Sequence, residues 1–169
     1  SLVFENGRFN SSLSSIPELA KGIIVGSLSS YCDHPVVKEH LAKHASIEQA
    51  SFVALNTAFV NEGAFIYLPD NTNIDQPIQL IYIHDTRATA VVMYPRNLIV
   101  AGKHSKVKIA EGYHSIGEIH PGLTNSVTEI IVGENASVEF NKIQQEHSRS
   151  NHISHTEAVQ ARNSVFSIC

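Results

Sequence analysis

The chain has 169 residues, with 12 Lys and Arg against 16 Asp and Glu, a formal net charge of −4. Apolar residues make up 43% and charged residues 17%, too apolar for a disordered tail, and no run approaches the ~20 consecutive apolar residues of a membrane span. Scattered Lys and Arg exclude a phosphate-binding face, because nucleic-acid affinity comes mainly from clustered cations that release counterions. Cys32 and Cys169 lie far apart, neither a disulfide framework nor a paired metal-ligand spacing, which points to a reducing compartment.

In chain order, Leu2-Val3-Phe4-Glu5, Asn6-Gly7 and Arg8-Phe9 read as a short hairpin, since Asn-Gly tolerates the positive φ of a type I′ turn. Gly22 to Leu28 reads as a short buried strand bracketed by glycine. Pro35 after Asp33-His34, with Val37 and Leu41 four apart, predicts a helix over 35–44. Ser46 as a cap, then Phe52, Leu55 and Phe59 as an apolar stripe, predicts a second. Residues 1–62 are thus a lead-in of short strands and two short helices. At the other end, Val165 to Cys169 alternates like a strand cut in progress, so the chain is expected to be an excised piece of a longer protein.

From Gly63 the pattern changes to short apolar runs punctuated by turns, and three runs superpose: Ile66 to Ile74, Ile99 to Val107 and Ile130 to Val138. Each has three mostly apolar residues, a Pro or Gly, a polar turn, and a β-branched residue. A weaker copy follows at Ala161 to Phe166. A strand repeat of about thirty residues with no helix between copies is the signature of a β-solenoid coil, in which each coil covers the apolar face of the one before. An antiparallel sandwich also has short strands at close spacing; the shared register of Gly or Pro, turn and β-branched residue favours the solenoid. Residues 63–169 are therefore its first coils, and an open end with unpaired backbone groups invites self-association.

Ten histidines are the main chemical temptation. His147, His152 and His155 cluster in one polar stretch, and Glu118 and His120, two apart, would share a strand face. His152 and His155 are an odd number apart and point to opposite faces of one strand. With no His-Glu-x-x-His or Cys-x-x-Cys spacing, surface histidines are the preferred reading over a metal site. Cys32 beside His34 could be a thiolate nucleophile, but no orienting partner is legible and a structural thiol is preferred; Cys169 carries no inference. Glu129 and Glu139 could form an acid/base pair, but alternating charges on solenoid strands usually belong to the solvated outer face. Neither a phosphate-cradling Gly-rich loop nor a Gly-x-Ser-x-Gly elbow occurs. No catalytic, cofactor-binding or metal-ligating residue is assigned.

Four stretches in order resemble the SufB/SufD family of the SUF iron–sulfur cluster assembly system: Leu55-Asn56-Thr57-Ala58-Phe59 leading to Gly63 to Pro69, Pro95-Arg96-Asn97-Leu98-Ile99-Val100, Thr124 to Ile130, and Gln160 to Ser167. The Asn-Thr-Ala-Phe and Pro-Arg-Asn-Leu forms are closer to the SufD branch than to the SufB branch. The resemblance implies a right-handed parallel β-helix and a non-catalytic scaffold subunit that assembles with SufB and the ATPase SufC and is associated with iron supply in the bacterial cytoplasm. It implies a longer helical region before Ser1, and places interface Cys and His beyond this chain, so iron or a cluster is expected only in the full complex. A polysaccharide-acting β-helical enzyme is the alternative; the absence of Trp disfavours the aromatic platforms it would need.

Overall fold

The structure, a computed structural model, describes all 169 residues. Strand β1 (Leu2–Glu5) turns through Asn6 and Gly7, both at positive φ, into antiparallel β2 (Arg8–Phe9), the hairpin the Asn-Gly pair predicts. Strand β3 (Ile24–Ser27) follows, then a single 3₁₀ turn over Leu28–Tyr31.

Both helices form, with different limits and one different face. Helix α1 (Pro35–His40) stops four residues short of the expected end because Leu41 is extended and Ala42 takes a left-handed φ of 58°. Unwinding there turns the N–H groups of Ala42, His44 and Ala45 toward the carboxylate of Glu129. Helix α2 (Ser51–Phe59) starts five residues after the expected cap: Ser46 accepts the Gln49 N–H but closes only a turn. Its buried residues are Val53 and Asn56, while Phe52 and Phe59 are exposed. The reason is directional bonding: Asn56 Nδ2 donates to the carbonyls of Pro95, at 2.9 Å, and Asn125, at 2.8 Å, and a buried amide must find partners whereas an exposed Phe need not.

Residues from Ala64 onward wind into a parallel β-solenoid of about three turns. One sheet contains β4 (Ala64–Leu68), β7 (Arg96–Ala101), β9 (Gly122–Val132) and β11 (Ser150–Gln160), extended at one edge by antiparallel β3. The opposing sheet contains β5 (Ile78–Asp85), β8 (Lys106–Ile116), β10 (Ser137–Gln145) and β12 (Val165–Ile168), extended by β1 and β2. Short β6 (Val91–Met93) pairs with β9. Within the coils, from β4 onward, the strands of each sheet pair in parallel with their counterparts one coil later rather than with their neighbours in sequence, which excludes the sandwich.

The register reproduces the superposed repeats: Ile66 pairs with Ile99 and Ile99 with Ile130. At the shared corner the left-handed residue recurs as Asn71, His104, Asn135 and Asn163, at φ 60, 56, 56 and 55°. Asn suits that region because its short polar side chain lowers the penalty of a Cβ there. Coils stack so tightly at this corner that a Cβ on Gly133 would lie 2.8 Å from the Ala101 carbonyl oxygen. Behind the corner the two sheets close over one core that includes Leu68, Ile99, Ile109, Val132, Val138 and Phe140. The lead-in covers the outer face of the β4–β7–β9 sheet: Leu28 and Val37 pack on Phe65, Leu98 and Val100, and Val53 packs on Val127.

Candidate functional site

Past the apolar half of each coil, the inward-facing positions change from aliphatic to polar while staying buried. Because side chains alternate along a strand, the inward register that contains Ile99 also contains Asn97; that of Ile109 contains Glu111 and Tyr113; that of Ile130 contains Thr128, Ser126 and Thr124. Asn97, Glu111, Thr124, Ser126 and Thr128 are all within 1% of complete burial. Burial of such groups is tolerable only when they bond to one another.

Asn97 is the first hub. Its Oδ1 accepts the Ala64 N–H at 2.8 Å and the Tyr82 hydroxyl at 2.6 Å, while its Nδ2 donates to Glu111 Oε1 at 2.7 Å and Thr128 Oγ1 at 3.2 Å. Four strands besides its own, from three coils, thereby meet at one amide. The other oxygen of Glu111 faces Lys142 Nζ at 3.1 Å. The Phe4, Tyr82 and Tyr113 rings stack as a ladder, 4.8 and 5.0 Å between centroids. Burial first, then the nearby Glu111 charge, raises both phenols well above their ordinary pKa.

Glu146, the first residue of the β10–β11 connection, is the second hub. Its Oε1 accepts from Thr124 at 2.9 Å and lies 3.3 Å from His84 Nδ1; its Oε2 lies 2.8 Å from His152 Nδ1. The side chains of His84, Glu146 and His152 are 0%, 2% and 6% exposed. Burial opposes charge on Glu146, but the hydrogen bonds from His152, His84 and Thr124 outweigh it and hold the carboxyl well below the usual carboxylate range. The His152 ring stands edge-on to Tyr113 at 4.4 Å.

A third buried carboxylate lies on the outer face, where Glu129 was expected to be solvated. It is instead completely buried: the lead-in folds over it, and it accepts the N–H groups of Ala42, His44 and Ala45 together with the Arg96 guanidinium, at 2.8 Å from Nη2 and 3.2 Å from Nε. Arg96 Nη1 reaches on to Thr57 Oγ1 at 3.1 Å. Burial again opposes the charge, and the Ala45 and His44 amides with Arg96 overcome it, so the pKa is lowered. This pair clamps the lead-in onto the coils.

The other sequence candidates disperse. His152 faces the interior and is no surface histidine, whereas His155 faces outward beside Glu157, as their odd spacing requires. His147 lies in the connection before β11, 3.2 Å from Thr86 Oγ1. Glu118 and His120 share no strand face, because they fall in the irregular link between β8 and β9. Glu139 is solvated, 3.4 Å from Lys108, and shares no site with Glu129. Cys32 is exposed, and the neighbouring His34 Nδ1 accepts the Val36 N–H instead of facing a thiol. No three His, Cys, Asp or Glu side chains converge in a geometry that would hold a metal ion. Sequence reasoning missed Asn97, Glu111, Glu146 and His84; the first two were marked by strand parity, since they share the phase of the aliphatic repeat.

Chemically, the constellation is a set of buried polar and charged groups whose directional bonds tie successive coils together, while the Tyr113 hydroxyl, Ser126 Oγ and His152 Nε2 make no hydrogen bond. The profile described as "SUF system FeS cluster assembly, SufBD core domain" matches residues 82–169, and that of the "SufBD protein N-terminal region" matches residues 1–80. Over 98% of its length the chain is 31% identical to an iron–sulfur cluster assembly SufBD family protein of Synechocystis, of which it covers 38%. It is 34% identical over 64% of its length to the iron–sulfur cluster assembly protein SufD of Bacillus subtilis, covering 24% of that protein. It is 31% identical over 73% of its length to a SufBD family protein of Staphylococcus haemolyticus, covering 27%. The chain thus spans 24% to 38% of the length of these relatives.

Proposed function

Because the chain belongs to the SufBD family of the SUF iron–sulfur cluster assembly system, we propose that it is part of a non-catalytic scaffold subunit that assembles with SufB and SufC. The observation that carries this reading is the cross-linked interior: Asn97, Glu111 and Glu146 join three coils by directional bonds, and the Arg96–Glu129 pair fixes the lead-in against them. Such bonds favour a single rigid arrangement over mobility, which suits a body that presents surfaces to sister proteins. The hub groups Asn97 and Glu146 are bonded to other interior side chains rather than exposed in an open groove. Iron is read as cargo of the assembled complex rather than a resident of this chain; the reading draws on the grouping of His, Cys, Asp and Glu, no three of which converge in a geometry for a metal ion. No helix is long and apolar enough to cross a membrane; cytoplasmic action is part of the proposal.

The test is co-purification of the full-length protein with SufB and SufC from the same source, with residues 1–169 alone alongside. The reading expects the full-length protein to form the ternary complex, and fails if neither partner is retained. Anaerobic titration of residues 1–169 with ferrous iron is expected to give no heat beyond dilution. Heat that disappears in a His152→Ala, His155→Ala double variant would instead assign iron binding to this chain.

A further inference from the structure

Outside the solenoid interior, one pair of side chains combines metal-ligating chemistry with a fixed mount. His40, the last residue of α1, and His44 in the following loop are both half-buried, and His40 Nδ1 lies 3.2 Å from His44 Nε2. Their rings are 5.5 Å apart between centroids and inclined by 28°. Spacing of four residues brings two side chains to one face of a continuing helix, but α1 has already ended. The left-handed Ala42 makes the meeting instead: the chain doubles back so that the Lys43 N–H donates to the His40 carbonyl at 3.2 Å. Both backbones are anchored. Val37 of α1 packs on the coils, and Glu129 accepts the N–H groups of Ala42, His44 and Ala45 at 2.8, 2.9 and 3.0 Å. The two imidazoles are therefore placed by the fold of the lead-in, as a preorganised pair of ligands must be.

The spacing of the nitrogens fits a shared ion. Metal–nitrogen bonds of ~2.0–2.1 Å meeting at ~90–109° put two ligating nitrogens roughly 2.8–3.4 Å apart, and the observed 3.2 Å falls inside that range. Rotation about the last side-chain bond of histidine is broad, so both lone pairs can turn to one point without backbone movement. On the far side of the His40 ring, Nε2 faces Glu39 Oε1 at 3.8 Å. That carboxylate favours the tautomer with its proton on Nε2 and its lone pair on Nδ1, the second-layer arrangement that commonly backs a metal-bound imidazole. No third His, Cys, Asp or Glu joins the pair, so water would complete the coordination of a two-histidine chelate open to solvent.

We propose that His40 and His44 form a binding site for a divalent transition-metal ion that favours imidazole, of the class of Zn²⁺, Ni²⁺ and Cu²⁺. A bound ion would brace the end of α1 against the loop whose amides hold Glu129. Fe²⁺ lies low in the affinity order of such sites, which leaves iron as cargo of the complex. The scaffold reading neither requires nor excludes this site.

The test titrates Zn²⁺ alone into the full-length protein after chelator treatment, followed by calorimetry. A His40→Ala, His44→Ala double variant is expected to bind one Zn²⁺ fewer per chain than the parent. Either single variant should weaken that site at least about tenfold, because a chelate needs both rings. Since an ion that binds only the folded state stabilises it, Zn²⁺ should raise the thermal midpoint of the parent more than that of the double variant. Mg²⁺, which prefers oxygen ligands, should produce no such difference. If the imidazoles serve only as a hydrogen-bonded pair, the variants lower the midpoint measured in chelator and leave the number and affinity of Zn²⁺ ions unchanged, and the proposal is overturned. An equal response to Mg²⁺ overturns it as well. One measurement needs no variant to fold: in the ¹⁵N-histidine-labelled parent, Zn²⁺ should shift the ring-nitrogen signals of His40 and His44. Signals that stay in place as Zn²⁺ is added refute the site.

Discussion

The interior of this solenoid has two halves that are equally buried and differently held. Beside the repeated corner, Ile99, Ile109, Val132 and Phe140 pack without directional bonds. A few residues away on the same strands, Asn97, Glu111 and Thr128, and just past the end of β10, Glu146, are held by hydrogen bonds with fixed geometry. Dispersion and burial depend on volume, so the first half should forgive changes of shape that conserve volume. Hydrogen bonds depend on having both partners, so the second half should forgive none that removes one. Sealing and rigidity are thus separate tasks in each coil, assigned to adjacent inward positions.

The largest expected effect is in the apolar half. Phe140→Ala, at a fully buried ring, should cost about 4 kcal/mol through lost burial and the cavity left behind, whereas Phe140→Leu should cost roughly 1.5 kcal/mol. Urea unfolding followed by far-UV circular dichroism measures both. In the polar half the comparison inverts: Asn97→Leu nearly conserves volume, yet it orphans the Ala64 N–H and Tyr82 hydroxyl and strips a donor from Glu111, at about 3 kcal/mol. If Asn97→Leu were as mild as Phe140→Leu, the polar half would be no more than a tolerated defect.

The two halves also differ in how far the sequence discloses them. The apolar half is legible because it repeats: aligning Ile66, Ile99 and Ile130 by eye gives the register that the strands adopt. The polar half has the same phase, but polar residues in an alternating strand are normally read as solvent-facing, and nothing within a few residues of Asn97 or Glu111 says that a second sheet closes over them. Glu129 fails for a related reason: the amides that bury it come from Ala42, His44 and Ala45, more than 80 residues away. On α2 the spacing of Phe52, Leu55 and Phe59 predicts an amphipathic helix correctly and its buried face wrongly, since Asn56 decides the orientation through carbonyls that local periodicity does not see. By contrast, the opposite facing of His152 and His155 follows from parity alone and needs no tertiary information.

Acid should separate the two halves, because only one of them titrates. Glu146 and Glu129 both have lowered pKa values in the folded protein. The unfolded chain therefore takes up protons on these carboxyls, from about the ordinary pKa of 4.5 downward, before the folded chain does. Their contribution is complete above that pH and is lost as the pH falls through the folded values. Between pH 6 and pH 3 a single lowered carboxyl should account for on the order of 1–2 kcal/mol of lost stability. Glu146→Gln should lower stability at pH 6 and flatten the acid slope by that amount, while Phe140→Leu should shift the curve down without changing its slope. Parallel slopes for Glu146→Gln and the parent in pH-dependent urea midpoints would show that the cluster carries no net linkage.

The smallest effect tests the corner on which the apolar half depends. Asn135 has a left-handed φ of 56° with an exposed side chain that makes no hydrogen bond, while its backbone N–H bonds to the Arg162 carbonyl one coil later. Substitution there changes almost nothing but the conformational preference of the backbone. Asn135→Ala should cost about 1 kcal/mol, the penalty of a Cβ in the left-handed region without a side chain that eases it. Asn135→Gly should lie within about 0.5 kcal/mol of the parent, because glycine enters this region freely but gives up more entropy on folding. The order Gly above Ala is the diagnostic, since helix and strand propensities rank them the other way. An Asn135→Ala variant as stable as the Gly variant would mean that the corner is set by stacking on neighbouring coils, which hold the turn whatever residue occupies it, and that its recurrence as Asn71, Asn135 and Asn163 has no energetic basis in backbone geometry.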